Sequence, residues 1–432
     1  MRHSLTSRGA RIRLDTQYFQ LTRLCILAEG KIHPAIYNLE TGDMVALERH
    51  VADVLSLAES GAPVDEIAHS LSTETRSVER VLSDVADRGL GSFFERRVFV
   101  EKYKDGHWTT ERFVAPHPVI SSCYIELPSS CDLGCGFCTL PKISPCAMCS
   151  EDVAGPVEMP ALQTFLRRLF HMKCVALVFH GGDPFQAPHE LFAIVEFCRA
   201  EGYDGSIYVT TNGIRLDVKM IDTLAHYGIH PIIPFGAEES GLIGERDLTR
   251  LSGLLHEKGV DFSLTVVINS GNTRDGQSMR DFVEGLGARR VRQTTVLESN
   301  APTSEDITRI LRKRMMRVTP SVFYHNAEHH PCLHQTLAVS ADGNVLPCPF
   351  LKDEILGTIT DARVIDEIFE SKAIDRYWSM SLCKIQVCRD CGFRYGCSDC
   401  RAVEKQLTGD LYGKTLCPYP VGQTEGGALA VA

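Results

Sequence analysis

The sequence predicts an α/β protein in three parts: a small N-terminal α+β unit, a partial (β/α)6 barrel, and a cysteine-dense C-terminal region. Three observations predict it. Strand-like apolar runs alternate with helical segments through residues 121–320. Short strand-like runs followed by three helical stretches fill residues 17–104. Most of the seventeen cysteines gather in two groups, 131–149 and 332–417.

Residues 1–16 read as a basic arm. They carry Arg2, Arg8, Arg11 and Arg13 and lack the apolar segment of a secretory signal. In the α+β unit, Tyr18–Thr22 and Ala35–Leu39 read as strands and Glu40-Thr-Gly-Asp as a turn. Helices are expected near 46–59, from Val64, and from about Thr73, where Val78, Val81, Leu82 and Val85 recur at helical spacing. Arg97–Tyr103 reads as a closing strand, and residues 105–120, with Ala115-Pro-His-Pro, as a linker.

Barrel strands are expected at Cys123–Leu127, Cys174–Phe179, Ser206–Thr210, Pro231–Phe235, Asp261–Ile268 and Arg290–Val296. Helices are expected at 160–171, 189–201, 217–227 and 276–286. This alternation implies parallel strands joined by right-handed crossovers. A closed eight-stranded barrel takes about 250 residues, so residues 121–320 predict an open six-stranded arc. Residues 321–420 are short of long apolar stretches, so metal is expected to substitute for a core there. The tail, 421–432, is small and glycine-rich and reads as disordered.

The formal charge of −10 and pI near 5.9 argue against a nucleic-acid-binding stripe. No apolar run approaches the roughly 18 residues of a membrane span. Cysteines at such short spacings suit metal better than cross-links, so a reducing, cytoplasmic setting is expected.

The central motif is Cys131-Asp-Leu-Gly-Cys135-Gly-Phe-Cys138. It follows the first expected barrel strand, on the side where barrel active sites are built. Three thiolates can hold three irons of a cubane and leave the fourth open. Zinc wants four ligands, usually in CX2C pairs, and no fourth follows at a standard spacing. A CX3CX2C motif at this place resembles the radical S-adenosylmethionine (SAM) superfamily. The resemblance implies a [4Fe–4S] cluster on Cys131, Cys135 and Cys138 whose open iron binds SAM. It also implies a one-electron reductant such as flavodoxin or ferredoxin, and cleavage of SAM to a 5′-deoxyadenosyl radical.

His180-Gly181-Gly182-Asp183-Pro184 is similar to the family's GGE/GGD-P segment, which binds the SAM amino group. Thr210-Thr211-Asn212-Gly213 resembles its TNG element. By this resemblance Gly181, Gly182, Asp183, Pro184, Thr211 and Asn212 contact SAM. The fourth strand departs from the pattern, with Pro234-Phe235-Gly236 where many relatives carry Ser-x-Asp. Asn269, ending the fifth, reads as a cofactor contact or a turn residue.

The C-terminal cysteines, Cys332-X10-Gly343-X4-Cys348 and Cys388-X2-Cys391-X5-Cys397-X2-Cys400 with Cys417 beyond, resemble the SPASM extension of radical SAM peptide maturases. The last CX2C looks closer to the branch with mycofactocin and haem-pathway maturases than to sulfatase-maturating enzymes. The resemblance implies two auxiliary [4Fe–4S] clusters: one on Cys332, Cys348 and Cys400, the other on Cys388, Cys391, Cys397 and Cys417. Relatives with eight cysteines have one more ligand upstream of the Cys332 position, and this chain has none between Cys198 and Cys332. The first auxiliary cluster is therefore left with an open iron or with Cys383, His325 or His330 as candidates. Cys146-Ala-Met-Cys149 reads as a redox pair, an added metal site or incidental loop thiols. Cys25, Cys123, Cys174 and Cys198 read as core.

The N-terminal unit, strands first and three helices after, resembles the winged-helix recognition element of ribosomally made peptide pathways. Such a domain would bind a precursor's leader by strand addition. Together the resemblances imply an oxidoreductase that oxidatively modifies, most simply cross-links, a precursor peptide. Other readings are a maturase of a haem precursor or a sulfatase, and an electron-transfer protein without chemistry of its own.

Overall fold

The computed structural model describes residues 17–104, 118–143, 146, 148, 149, 155, 158–236, 240–269, 276–297, 317–397 and 399–417. The basic arm, most of the linker with its Ala115-Pro-His-Pro, and the tail 421–432 lie outside them.

The N-terminal unit holds β1 (Tyr18–Leu21), β2 (Cys25–Ala28), β3 (Ala35–Asn38), β4 (Asp43–Ala46), α1 (Arg49–Glu59), α2 (Val64–Ser70), α3 (Thr75–Asp87) and β5 (Gly91–Phe94). β2, β3 and β4 form one antiparallel sheet, and β1 pairs with β5. The closing strand is thus Gly91–Phe94 and not Arg97–Tyr103. A Cβ on residue 91 would stand 2.3 Å from the Phe19 ring, so only glycine lets this strand lie against β1. The later stretch is held differently, through Tyr103 N–H to the Arg23 carbonyl at 3.0 Å and Lys102 Nζ to the Leu21 carbonyl at 2.9 Å. Phe19, Leu21, Leu55, Ile67 and Leu82 form the unit's own core.

The barrel follows: β6 (Ser122–Glu126), β7 (Lys142–Ile143), α4 (Met159–His171), β8 (Ala176–His180), α5 (Pro188–Ala200), β9 (Ser206–Thr210), α6 (Val218–Tyr227), β10 (Ile229–Phe235), α7 (Glu245–Glu257), β11 (Ser263–Ile268), α8 (Gly276–Gly285) and β12 (Arg290–Val296). Strands β6-β8-β9-β10-β11-β12 are consecutive and parallel. β8 and β11 are buried along their whole length, which explains their continuous apolar text. α7, between β10 and β11, buries Leu248, Leu251 and Leu255.

The C-terminal region adds α9 (Pro320–Glu328), β13 (Thr336–Val339), β14 (Asn344–Leu346), β15 (Gly357–Thr358), α10 (Val364–Glu370), α11 (Asp375–Trp378) and α12 (Arg401–Thr408). β13 runs parallel to β6, and the β14 and β15 strands extend the sheet. The short β7 caps the far edge, antiparallel to β12. The expectation that metal replaces a core here is corrected. Ile365, Ile368, Ile374, Tyr377, Leu382 and Ile385 are buried in one apolar cluster with the barrel.

The N-terminal sheet sits directly on this region. Tyr37, Phe323 and Phe393 share an apolar cluster, and Tyr37 Oη donates to the Gly392 carbonyl at 2.9 Å. Ile32 N–H donates to the Asp390 carbonyl and Gly392 N–H to the Ile32 carbonyl. Among the described residues no helix is long and apolar enough to cross a membrane.

Candidate cluster and cofactor site

The CX3CX2C loop leaves the C-terminal end of β6 and is shaped by the glycines after β8. Residue 181 has φ +153°, and a Cβ there would stand 2.4 Å from the Leu127 carbonyl oxygen; at residue 182 it would meet the Ser129 carbonyl oxygen at 2.6 Å. The two glycines therefore lie flat against residues 127–130, the approach to Cys131. Asp183 N–H donates to the Ser130 carbonyl at 2.8 Å. The Asp183 carboxylate accepts from Phe185 N–H at 3.1 Å, Thr211 Oγ1 at 3.0 Å and Asn212 N–H at 3.3 Å. Burial raises its pKa while these donors oppose the shift. Asn212 Nδ2 lies 3.6 Å from Cys131 Sγ. Pro184 opens a single 3-10 turn that Asp183 caps. The structure so brings Gly181, Gly182, Asp183, Pro184, Thr211 and Asn212 together beside Cys131.

The thiols of Cys135 and Cys138 are hydrogen-bonded. That bond, then burial and the nearby thiols of Cys138, Cys149 and Cys131, pushes the Cys135 pKa up. Three thiols on one loop suit a cubane, in which each thiolate takes a separate iron. Beside them the barrel ends are polar and buried. Among the described residues, the side chains of His180 on β8, Thr210 on β9 and Thr295 on β12 meet no hydrogen-bond partner. Leaving such a group unpaired costs about 1–3 kcal/mol, so the strand ends fit a polar ligand such as SAM. Burial, with Lys352 adding to it and Glu126 opposing, lowers the His180 pKa to about 4. Sequence reasoning missed Thr295; its one signal is a hydroxyl residue near the C-terminal end of an otherwise expected strand.

The other thiols form two groups. Cys332 is pushed up to about 12, first by burial and then by Cys400 and Cys348. Cys388, Cys391 and Cys397 are each pushed up to about 12, chiefly by burial. Cys388 also feels Cys397, and Cys391 and Cys397 both feel Cys417. A buried ionic network ties the segments together. Asp399 accepts from Arg401 Nη2 at 2.6 Å, Lys414 Nζ at 2.7 Å and His330 Nε2 at 3.1 Å. Arg401 also donates to the Leu411 and Gly413 carbonyls, and Glu404 accepts from Lys414 at 2.6 Å and Thr415 N–H at 2.7 Å. The Cys400 and Cys417 segments are thereby pinned to each other.

Three candidates for a missing ligand are engaged elsewhere. Cys383 hydrogen-bonds to Arg394 and Tyr395. His325 pairs with His334 at 3.3 Å. His330 uses one ring nitrogen on Asp399 and accepts Cys332 N–H on the other at 3.2 Å. Among the described residues no three ligating side chains converge on a single-ion site.

The model of the Radical SAM superfamily matches residues 125–239, and that of the SPASM iron–sulfur cluster-binding domain matches residues 331–392. No curated protein matches significantly. Among solved structures, native anSMEcpe with bound AdoMet is 18% identical, with a TM-score of 0.52 over 69% of this chain and 93% of that one. The same protein with AdoMet and the Cp18Cys peptide has a TM-score of 0.51. Streptococcus suis SuiB bound to precursor peptide SuiA is 13% identical, with a TM-score of 0.49 over 92% of this chain and 99% of that one.

Proposed function

We propose that this chain, a radical SAM enzyme carrying radical SAM and SPASM domains, oxidatively modifies a ribosomally made precursor peptide, most simply by a C–C or C–S cross-link. The observation that carries the peptide reading is an open strand edge over a cleft. Among the described residues β4 pairs only with β3. Between β4, α1 and α3 lies a cleft of about 840 Å³ with an apolar floor that includes Ile36, Val45, Val54 and Val78, and with Arg80 and Arg88 among its polar lining. An extended leader peptide can add to such an edge through its main chain and seat alternate side chains in the cleft. The Cp18Cys peptide of the anSMEcpe structure supports a peptide as the substrate class.

Cys131, Cys135 and Cys138 would hold the SAM-binding cluster. Cys332, Cys348 and Cys400, and Cys388, Cys391, Cys397 and Cys417, would hold the auxiliary pair. When bound, these groups supply one-electron cleavage of SAM, hydrogen abstraction from an unactivated C–H bond, and a sink for the electron that an oxidation releases. The chain's own residues do the positioning. Gly181 and Gly182 set the cysteine loop on β6. Asp183 and Thr211 lock the two strand-end segments to each other. Asn212 presents its amide to Cys131. His180, kept neutral by burial, and the Thr210 and Thr295 hydroxyls offer unclaimed hydrogen bonds to the polar parts of the cofactor. A flavodoxin or ferredoxin is the expected electron donor.

The test uses anaerobically reconstituted protein with SAM, dithionite and candidate precursor peptides drawn from short reading frames sought beside the gene. Release of 5′-deoxyadenosine and a peptide lighter by two hydrogens per cross-link are expected. Val81→Glu, which puts a charge into the cleft, should leave deoxyadenosine release in place and cut peptide product at least tenfold, about 1.4 kcal/mol of lost binding. Undiminished product from that variant would contradict leader capture at β4.

A further inference from the structure

We propose that Cys146, just beyond the CX3CX2C motif, is the fourth thiolate of the auxiliary cluster held by Cys332, Cys348 and Cys400. The inference rests on reading the C-terminal thiols as cluster ligands, and it closes the iron that the sequence leaves open.

The geometry begins at the sheet edge. β7 leaves the cysteine loop and pairs with β12, Ile143 opposite Thr295 and Lys142 opposite Val296. Ile143 is buried with Leu297, Val403 and Leu416, and Cys400 and Leu407 pack against the same cluster. The chain is thus seated beside α12 three residues before Cys146. There the Cys146 thiol is hydrogen-bonded to that of Cys348. This bond, followed by burial, pushes the Cys146 pKa up, and it holds Cys348 below its ordinary value; Cys332 and Cys400 add to the rise at Cys146. A second side chain reports the same space. The Tyr124 phenol on β6 is raised by burial first and then by Cys146, with Cys332 and Cys348 adding to it against Arg292.

Four thiols from four segments are therefore neighbours, Cys146 bonded to Cys348 with Cys332 and Cys400 close by: the stretch after β7, the approach to β13, the end of β14 and the approach to α12. The reach is ample, since eight residues from Cys138 to Cys146 span up to about 26–29 Å when extended. Cys149 faces the other way. Its pKa is pushed up to about 12 by burial, then by Cys138, Cys131 and Asp183. The CX2C at 146–149 is accordingly no pair: one thiol turns to the auxiliary site, the other to the SAM-cluster loop. The auxiliary cluster is then fully thiolate-bound, fitted to pass electrons and not to bind an exogenous ligand.

The experiment uses the full chain carrying C131A/C135A/C138A, so that only auxiliary clusters report. After anaerobic reconstitution this parent should hold about eight irons, and its reduced EPR spectrum should not change on adding cyanide. Cys146→Ser should expose one iron: the spectrum shifts, responds to cyanide, and mild oxidation lowers the content to about seven irons. Cys149→Ser should behave as the parent. If Cys146→Ser takes up too little iron to read, Cys146→Asp, which can supply an oxygen ligand, should restore iron with an altered spectrum. A parent that itself binds cyanide, or Ser and Asp variants with the parental spectrum, would overturn the assignment while leaving the cluster reading intact. Zinc in place of iron in the parent would overturn both.

Discussion

The two thiol-bearing regions are held in place by different forces. The CX3CX2C loop rests on backbone. Gly181 and Gly182 lie against residues 127–130, and β8, which they follow, is buried along its whole length. The C-terminal thiols rest on buried ionised side chains, with Asp399 between Arg401 and Lys414 and hydrogen-bonded to His330, and on an N-terminal sheet hydrogen-bonded to the loop between Cys388 and Cys397. The first arrangement is set by packing that needs no metal. The second stays together only while each buried charge keeps its partner, so it should be the more fragile of the two.

Asp399→Ala breaks that comparison hardest. It leaves two buried cations, Arg401 and Lys414, with one buried carboxylate, Glu404, between them, a loss of about 3–5 kcal/mol. Chemical denaturation should show it, and iron analysis should show auxiliary iron lost while SAM-cluster iron remains. Equal loss from both regions would mean they are not held independently.

Acid should separate the regions by pH window. The folded pKa of His180 is about 4, below the ordinary 6.5. The unfolded chain therefore takes up the proton first, and stability present above about 6.5 is lost as the pH falls toward 4, on the order of 3 kcal/mol in all. The Asp399 pKa is well below the carboxylate range: burial opposes this, and Lys414 and Arg401 outweigh it. Its contribution is present above an unfolded pKa of about 3.9 and goes only as the pH falls through its folded value. His180→Gln should thus flatten the loss of urea resistance between about pH 6.5 and 4 and leave the lower window as it is.

Gly181→Ala tests the backbone side. The Cβ would overlap the Leu127 carbonyl, and about 1–3 kcal/mol of strain should appear as reduced deoxyadenosine release with auxiliary iron retained. The smallest effect is expected from Tyr37→Phe, which removes one hydrogen bond to Gly392. A cost of about 1 kcal/mol, measured by denaturation, should be accompanied by faster hydrogen exchange in the Cys388–Cys397 loop.

What the sequence shows follows the same division. β8 and β11 are legible because strands buried along their whole length make uninterrupted apolar runs, whereas β12, RVRQTTV, shows only its β-branched residues. The CX3CX2C motif is legible because its ligands are local. β2 and β4 are not, since each buries at most two of its four residues where β1 and β3 bury three, and Arg97–Tyr103 imitates a strand while lying outside either N-terminal sheet. The neighbours of Cys348 are hardest to read. Cys146 lies about two hundred residues upstream, and only the β7–β12 pairing and the seat of Ile143 on α12 bring it there. The histidines and Cys383 that spacing suggests are spoken for by hydrogen bonds that no spacing rule reveals.

The most direct test of the account compares the parent with C131A/C135A/C138A in one anaerobic assay with SAM and dithionite, reading iron and 5′-deoxyadenosine together. The parent should hold about twelve irons and release deoxyadenosine; the variant should hold about eight and release none. Deoxyadenosine from the variant at the parental rate, or a parent that binds zinc in place of iron, would contradict it.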